Sequence, residues 1–238
     1  MHPTSFLVDD RLAIDAGAIT TSLTIDEQAQ VDHVFLTHSH FDHLATLPFL
    51  VDNVYSVTEK PIRVAGPPST IRSLRDHLFN DEIWPDFSKI SNQRTELIRF
   101  GPLLLGQVET VHQLEVTPFA MEHTVECYGY IVRSGGAAVA ICGDTCSIAG
   151  LERILPDFPD LKAVILEASF PRSRARTAEI SKHLSTTTFA VEAARLPERV
   201  KILVTHLKPE FHAKIMEEIA DLNMSQVFLL DAEREYIF

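Results

Sequence analysis

Residues 37–43 of this chain, THSHFDH, bring three histidines and one carboxylate into a single short segment. In an extended segment, side chains two residues apart face the same way, so His38 and His40 can present both imidazoles to one point. The turn that follows can aim Asp42 and His43 at a second point. Imidazole and carboxylate are ligands of zinc and similar metals, and a purely structural role would require many hydrogen-bond partners for so dense a polar run. The segment therefore predicts a metal site.

Two metal ions would need more ligands than this one segment supplies. Candidates that follow apolar, strand-like runs are His123, Asp144 and His206. Asp144, directly after Gly143, is the best candidate for a bridging carboxylate, because its two oxygens can each bind an ion. Each of the three could instead be a helix cap or a hydrogen-bonded residue at a strand end.

The composition is that of a globular protein, and we predict a single domain over residues 1–238. The chain has 238 residues, 45% of them hydrophobic, and a formal net charge of -12 from 33 acidic and 21 basic side chains. This charge argues against a surface built to bind long nucleic acids, although a small anionic substrate can still be held by a local cation.

The sequence also makes predictions about location. No secretory signal and no apolar run of about 20 residues is evident, so we expect no membrane partner. Three cysteines, an odd number without close paired spacing, indicate a reducing compartment, and we predict a cytoplasmic protein. Cys142 and Cys146 could ligate metal, but small buried thiols are the favoured interpretation.

Strand and helix patterns occur in both halves of the chain. SFLV and LAIDA, separated by Asp9 and Asp10, predict a β-hairpin, and VDHVFLT predicts a strand that leads into THSHFDH. Further on, we predict a helix with Ser69 as its N-cap and an exposed loop over the Arg-rich run PRSRARTAE. The second half alternates strands such as KAVILEAS and VKILVTH with helices, one of them capped by Ser185.

THSHFDH matches the HxHxDH signature of the metallo-β-lactamase superfamily, and the later His, Asp and His follow in the order used there. The resemblance implies a four-layer αβ/βα sandwich with two divalent metal ions, zinc being favoured and manganese or iron the alternatives. It also implies a hydroxide between the two ions. The implied ligands are His38, His40 and His123 for one ion, Asp42, His43 and His206 for the other, and Asp144 as the bridge.

Other segments resemble one branch of the superfamily, the class II cyclic-nucleotide phosphodiesterases. HLFNDEIWP, ILEASF, KHLS and THLKP have counterparts there in the same order. The resemblance implies hydrolysis of 3′,5′-cyclic nucleotides, cAMP or cGMP, to 5′-monophosphates, and a possible homodimer. Thr124 after His123 and Lys182 before His183 replace glycines usual in the family, which leaves the shape of two pocket loops and the preferred nucleotide open.

Glu167 and His183 are the remaining catalytic candidates, together with Asp42. A similar Glu and a similar later His act in proton transfer in the tRNA 3′-processing endonucleases of the superfamily. By this resemblance Glu167 orients His183, which protonates the leaving oxygen; a His that pairs only locally is the alternative. Alternative functions are a tRNA-processing type endonuclease, another hydrolase such as a lactonase, and a metal-binding protein without hydrolytic activity.

One group of residues has two interpretations of equal weight. Phe79, Asn80 and Trp84 could line a pocket for the nucleotide base, since an indole face stacks well on a purine. They could equally form a core or a subunit contact.

Overall fold

A computed structural model describes residues 4–231 and 234–238. These residues form two compact units, here called the N-terminal unit (residues 4–104) and the C-terminal unit (the described residues from 105 onward). Each unit contains its own β-sheet and its own cluster of buried apolar side chains. The single domain over residues 1–238 stays a prediction, and residues 1–3 lie outside the described part.

The N-terminal unit is built on a five-stranded sheet in simple sequence order. Its strands are β1 (Phe6–Val8), β2 (Leu12–Ile14), β3 (His33–Phe35), β4 (Ile62–Gly66) and β5 (Ile98–Pro102). Its helices are α1 (Ile19–Ser22), α2 (Ile25–Gln28), α3 (Leu47–Asn53) and α4 (Pro68–His77). The predicted hairpin of β1 and β2 is confirmed, and Asp9 and Asp10 both take the left-handed backbone conformation at its turn.

The C-terminal unit contains a seven-stranded sheet, in the order β12, β11, β10, β9, β8, β7, β6. The strands are β6 (Glu109–Val111), β7 (Leu114–Met121), β8 (Cys127–Ser134), β9 (Ala137–Ile141), β10 (Leu161–Glu167), β11 (Lys201–Thr205) and β12 (Val227–Leu229). The helices are α5 (Ala149–Ile154), α6 (Ala175–Ser181), α7 (Thr186–Ala193) and α8 (His212–Ala220).

Strand direction in this sheet brings the predicted site residues of the unit to one edge. β9, β10 and β11 are parallel neighbours, and β7 runs in the same direction because β8 is antiparallel to both β7 and β9. The carboxyl ends of these strands therefore meet at one edge, where ligands bind in sheets of this kind. His123, Asp144, Glu167 and His206 each lie at or just after the end of one such strand.

The predicted α/β class is confirmed, because each unit combines a β-sheet with helices. The predicted cap of α7 is also confirmed, because the Ser185 hydroxyl accepts a hydrogen bond from the Thr188 N–H at 3.3 Å. In the described residues, no helix combines the length and the apolar character needed to cross a membrane.

Two local predictions are wrong. Ser69 does not cap α4, because Pro67 occupies the N-cap position and Pro68 the first helical position, where its missing N–H does no harm. The Arg-rich run is not a loop, since most of it belongs to a short 3-10 turn and α6. Alanine and arginine favour helix, and Ala178 is buried, so packing of one face outweighs the polar character of the sequence.

Candidate metal centre

In the N-terminal unit, the segment that follows β3 gathers three histidines closely. The ring centroid of His38 lies 4.6 Å from that of His40 and 4.2 Å from that of His43. Asp42 and His43 belong to a 3-10 turn, Phe41–His43, that starts directly after the extended His40. His38 and His43 are buried, whereas His40 and Asp42 are half-buried. We call His38, His40, Asp42 and His43 the N-terminal ligand cluster.

A buried carboxylate that the sequence analysis missed holds this cluster in place. Asp15 follows β2 directly and is 1% exposed. Its Oδ2 lies 2.7 Å from Nδ1 of His43 and accepts the Thr37 hydroxyl at 2.8 Å, while its Oδ1 accepts the Thr37 N–H at 2.7 Å. The Thr37 hydroxyl lies 3.0 Å from Nδ1 of His38. Asp15 thus contacts one histidine directly and a second one through a hydroxyl group.

Asp15 could have been found from the sequence by the criterion that found Asp144. It ends the apolar run LAI, as Asp144 follows the apolar run AVAI. Its backbone is left-handed, with φ of +62°, a conformation that aspartate tolerates better than most residues. The sequence did not indicate which residues Asp15 contacts, because nothing in it shows that the end of β2 lies beside the end of β3.

In the C-terminal unit, Asp144 lies between two histidines from different strand ends. Its Oδ1 is 3.5 Å from Nε2 of His206, and its Oδ2 is 4.0 Å from Nε2 of His123. All three side chains are at most 5% exposed. We call His123, Asp144 and His206 the C-terminal ligand cluster, whose arrangement lets each carboxylate oxygen face a different imidazole.

Hydrogen bonds to Nδ1 orient the two histidines of this cluster. Nδ1 of His123 lies 3.0 Å from the carbonyl oxygen of Lys182, and Nδ1 of His206 lies 3.0 Å from the Ser169 hydroxyl. A carbonyl can only accept, so Nδ1 of His123 carries the proton and Nε2 is left as the atom with a lone pair. This is the arrangement by which outer groups orient metal-binding histidines.

Glu167 and His183 form the buried pair that the sequence predicted. Oε1 of Glu167 lies 2.8 Å from Nδ1 of His183, and the two side chains are 2% and 9% exposed. Glu167 also accepts hydrogen bonds from the N–H groups of Thr145 at 2.7 Å and Leu184 at 3.2 Å. Four donors, the fourth being Ser169, therefore hold the carboxylate in one orientation.

This environment changes the proton affinity of His183. Burial of the ring lowers its pKa, but the hydrogen bond and charge of Glu167, with the charge of Asp144, outweigh burial, so the pKa of His183 lies above its ordinary value. The proton on His183 is therefore retained to a higher pH than on a free histidine.

The chemistry of these residues fits a metal site. Asp144, His183 and His206 each offer one ligand atom, and these atoms lie within 4.8 Å of one another. Nitrogen and oxygen ligands of a tetrahedral zinc ion, with bonds of about 2.0–2.2 Å, are roughly 3.4 Å apart, close to the separation of His206 and Asp144. His183 differs from His123 and His206, because its Nδ1 lies 2.8 Å from a carboxylate oxygen, Oε1 of Glu167.

Cys142 and the three candidates for a base pocket each have a local environment of their own. Burial, followed by the charge of Glu167, raises the pKa of the Cys142 thiol well above its ordinary value, which favours the interpretation as a buried thiol. Phe79 is 1% exposed and packs in the apolar core of the N-terminal unit. The Asn80 side chain accepts the N–H groups of Glu82 and Ile83 and so shapes a turn. Trp84 packs edge-on against Phe49, with ring centroids 5.1 Å apart.

Comparisons with known proteins identify a matching family and solved structures with a similar fold. The family model described as Beta-lactamase superfamily domain matches residues 11–207. The crystal structure of unliganded yeast PDE1 superposes with a TM-score of 0.71 at 23% identity, covering 85% of this chain and 67% of that one. At this level of identity the structural likeness shows the fold.

Two curated relatives are phosphodiester-cleaving proteins by name. The 3′,5′-cyclic-nucleotide phosphodiesterase 1 of Saccharomyces cerevisiae is 24% identical, over 87% of this chain and 69% of the relative. Ribonuclease BN of Citrobacter koseri is 28% identical, but the match covers 56% of this chain and 41% of the relative.

Proposed function

This chain belongs to the beta-lactamase superfamily as a metallo-β-lactamase-fold hydrolase, and we propose that it hydrolyses 3′,5′-cyclic nucleotides to 5′-monophosphates. The observation that carries the proposal is the buried Glu167–His183 pair next to Asp144. Cleavage of a phosphodiester by water expels an alkoxide, which needs a proton from a positioned acid. A thioester does not place the same demand on a separate acid, because its leaving thiolate is a much weaker base than an alkoxide.

His183 is the proposed acid. With Nδ1 hydrogen-bonded to Glu167, the ring presents Nε2 as the atom that donates a proton to the leaving 3′ oxygen. The raised pKa of His183 favours retention of this proton to a higher pH than in a free histidine, and the fixed ring supplies it without reorientation. Proton transfer by such a group is typically worth about 10² to 10⁴ in rate.

Two divalent ions, zinc in the first instance, complete the proposal. The proposed ligands, taken over from the family resemblance, are His38, His40, Asp42, His43, His123, Asp144 and His206. When bound, the ions would supply Lewis acidity toward the phosphoryl oxygens and lower the pKa of water toward about 7. The chain's own contribution is to hold the imidazoles through Asp15, Thr37 and Ser169 and the carbonyl of Lys182.

Two observations support a small cyclic substrate over a polymer. The match to the yeast phosphodiesterase extends over 87% of this chain, whereas the match to ribonuclease BN covers 56%. The net charge of -12 would repel a long nucleic acid. We therefore propose a small-molecule partner, with a cytoplasmic location and a homodimer as accompanying predictions from the sequence.

A nuclease that processes tRNA is the second candidate, favoured by the likeness to ribonuclease BN and by the Glu–His pair. The two functions differ in electrostatics. Binding of a polymer that contacts several phosphates weakens steeply with salt, whereas binding of a single cyclic phosphate changes little.

The test uses the full-length protein with its metal content determined. Cyclic AMP, cyclic GMP, a cyclic dinucleotide, an acyl lactone and a tRNA precursor are each incubated with it at two salt concentrations. We expect hydrolysis of a cyclic mononucleotide to the 5′-monophosphate with shallow salt dependence. Cleavage of only the tRNA precursor or only the lactone would refute the proposal, and turnover of nothing by the metal-loaded protein would favour the non-hydrolytic alternative.

A further inference from the structure

Ser169 is fully buried and lies between Glu167, the partner of the proposed acid, and His206, a proposed metal ligand. It lies two residues after Glu167, and its side chain is 0% exposed. Its Oγ is 2.5 Å from Oε2 of Glu167, 3.0 Å from Nδ1 of His206 and 3.0 Å from the His206 carbonyl oxygen.

The direction of these hydrogen bonds follows from counting protons. A serine hydroxyl has one hydrogen to donate and two lone pairs to accept with. Oε2 of Glu167 and the His206 carbonyl oxygen can only accept, so the single hydrogen goes to one of these two atoms and not to Nδ1 of His206. The contact with Glu167 is the shorter and is charge-assisted, so the hydrogen points to Glu167. The contact with Nδ1 of His206 is then one in which the imidazole donates. His206 is thereby held in the tautomer that carries its proton on Nδ1 and leaves Nε2 to face Asp144.

We propose that Ser169 is a positioning residue that connects Glu167 to His206 and sets the His206 tautomer for metal binding. The proposal rests on the metal-binding part of the proposed function. It makes Glu167 the organiser of two histidines, because Glu167 contacts His183 directly and reaches His206 through Ser169.

An independent arrangement in the same chain supports this. In the N-terminal unit, Asp15 contacts His43 directly at 2.7 Å and reaches His38 through the Thr37 hydroxyl, with links of 2.8 and 3.0 Å. The order carboxylate, hydroxyl, imidazole Nδ1 is the same in both units, although the residue types and sequence spacings differ. A hydroxyl that served only to satisfy a buried carboxylate would not need an imidazole on its other side.

The alternative is that Ser169 has a purely structural role. Its backbone N–H donates to Leu184 at 3.0 Å, and its carbonyl accepts the N–H of Lys208 at 3.3 Å, so the residue also ties three segments together. Those backbone contacts remain when the hydroxyl is removed. The tautomer of His206 and its affinity for metal therefore separate the two roles.

The experiment compares the full-length parent with Ser169→Ala, which lacks the hydroxyl, and Ser169→Thr, which restores it. Ser185→Ala is the matched control, since Ser185 is an equally buried serine whose hydroxyl caps α7 through Thr188. Imidazole ¹⁵N chemical shifts of the metal-free proteins report the tautomer of His206. Competition of Zn²⁺ with a chromogenic chelator reports affinity, and thermal unfolding reports stability.

For Ser169→Ala we expect loss of the uniform Nδ1–H tautomer of His206 and weaker Zn²⁺ binding, by about 10- to 100-fold, as for other outer-shell residues of metal sites. Ser169→Thr should recover both properties. Ser185→Ala should lower the melting temperature and change neither. If Ser169→Ala proves unfolded, Ser169→Cys keeps the volume with a weaker hydrogen-bonding group and should show an intermediate loss of affinity.

Unchanged shifts of His206 together with parental Zn²⁺ affinity in a folded Ser169→Ala protein would overturn the proposal. So would an equal loss of affinity in Ser185→Ala. Neither measurement depends on turnover of a cyclic nucleotide, so a parent protein that binds Zn²⁺ but hydrolyses no cyclic nucleotide would refute the proposed substrate and leave the role of Ser169 to be decided on its own.

Discussion

In each unit a buried carboxylate contacts one histidine directly and a second through a hydroxyl group, but the stretches of chain involved are very different. In the N-terminal unit, every histidine of the ligand cluster lies within residues 37–43, and only Asp15 comes from elsewhere. In the C-terminal unit, the corresponding side chains are spread over residues 123–206 and follow separate strands of one sheet. The first cluster is mainly a product of local sequence, and the second depends on correct strand pairing.

Asp15 and Glu167 also differ in the proposed role of the histidine that each contacts directly. The direct partner of Asp15 is His43, a predicted metal ligand, whereas the direct partner of Glu167 is His183, the proposed acid. The same type of hydrogen bond can make an imidazole a better ligand or keep a proton on it. The difference teaches that a carboxylate–histidine pair has no fixed function until the group facing the other ring nitrogen is known.

The largest expected effect is on metal content, where the proposed bridging residue, Asp144, should differ from a ligand of the N-terminal ligand cluster. Asp144→Ala should lose both ions and all measurable activity, whereas His38→Ala removes one ligand of one ion and should retain part of the metal. Metal analysis after gel filtration, with melting temperature, measures the difference, because a ligand bound only by the native state adds to stability. The exposed Asp157 supplies a control, Asp157→Ala. Parental metal content in Asp144→Ala would contradict the assignment.

The next effect tests the different uses of the two carboxylate–histidine pairs. His183→Gln should lower kcat by about 10² to 10⁴, because the leaving oxygen loses its acid, while the metal content stays that of the parent. Steady-state kinetics with metal analysis distinguishes this variant from a ligand variant. His212→Gln, which changes an exposed histidine of the same unit, is the control. Loss of metal in His183→Gln would place His183 among the ligands instead.

A smaller effect on metal affinity is expected from Asp15, the carboxylate that contacts the N-terminal ligand cluster. Asp15→Asn should weaken metal binding by about 10- to 100-fold, since the amide cannot accept all the hydrogen bonds now made to Asp15. Asp32→Asn is a matched control, because Asp32 lies 2.6 Å from Nδ1 of His33 in the same unit, at a pair not assigned to metal. Equal losses in Asp15→Asn and Asp32→Asn, in chelator competition, would show that the effect is general destabilisation.

The smallest effect is on stability and concerns Lys182, whose backbone carbonyl contacts His123 of the C-terminal ligand cluster. Lys182 ends α6 in the left-handed conformation, with φ of +52°, where glycine is favoured. Lys182→Gly should raise the free energy of unfolding by about 0.5 to 1 kcal/mol, the relief of strain being partly offset by the greater freedom of glycine in the unfolded chain. Lys214→Gly, inside α8, should instead lower it by about 1 kcal/mol. Chemical denaturation measures both, and destabilisation by Lys182→Gly would contradict the argument.

The features predicted well are those whose cause is local. The turn at Asp9 and Asp10, the Ser185 cap and the strand before residues 37–43 each follow from a few neighbouring side chains. The features predicted badly needed a distant partner. Ala175–Ser181 form α6 with Ala178 buried, and the sequence alone does not show that this position is covered when the chain folds.

The sequence by itself determined the residue types of the candidate site, because a dense run of histidines with a carboxylate has few other uses and the later candidates all follow apolar runs. Tertiary structure alone decided how those residues are held. Asp15 is 22 residues from Thr37, and Ser169 is 37 residues from His206, so no local pattern indicates either hydrogen bond. Pairing of parallel strands brings their carboxyl ends together. Only then can a neighbouring oxygen, such as that of the Ser169 hydroxyl, determine which imidazole nitrogen keeps its proton.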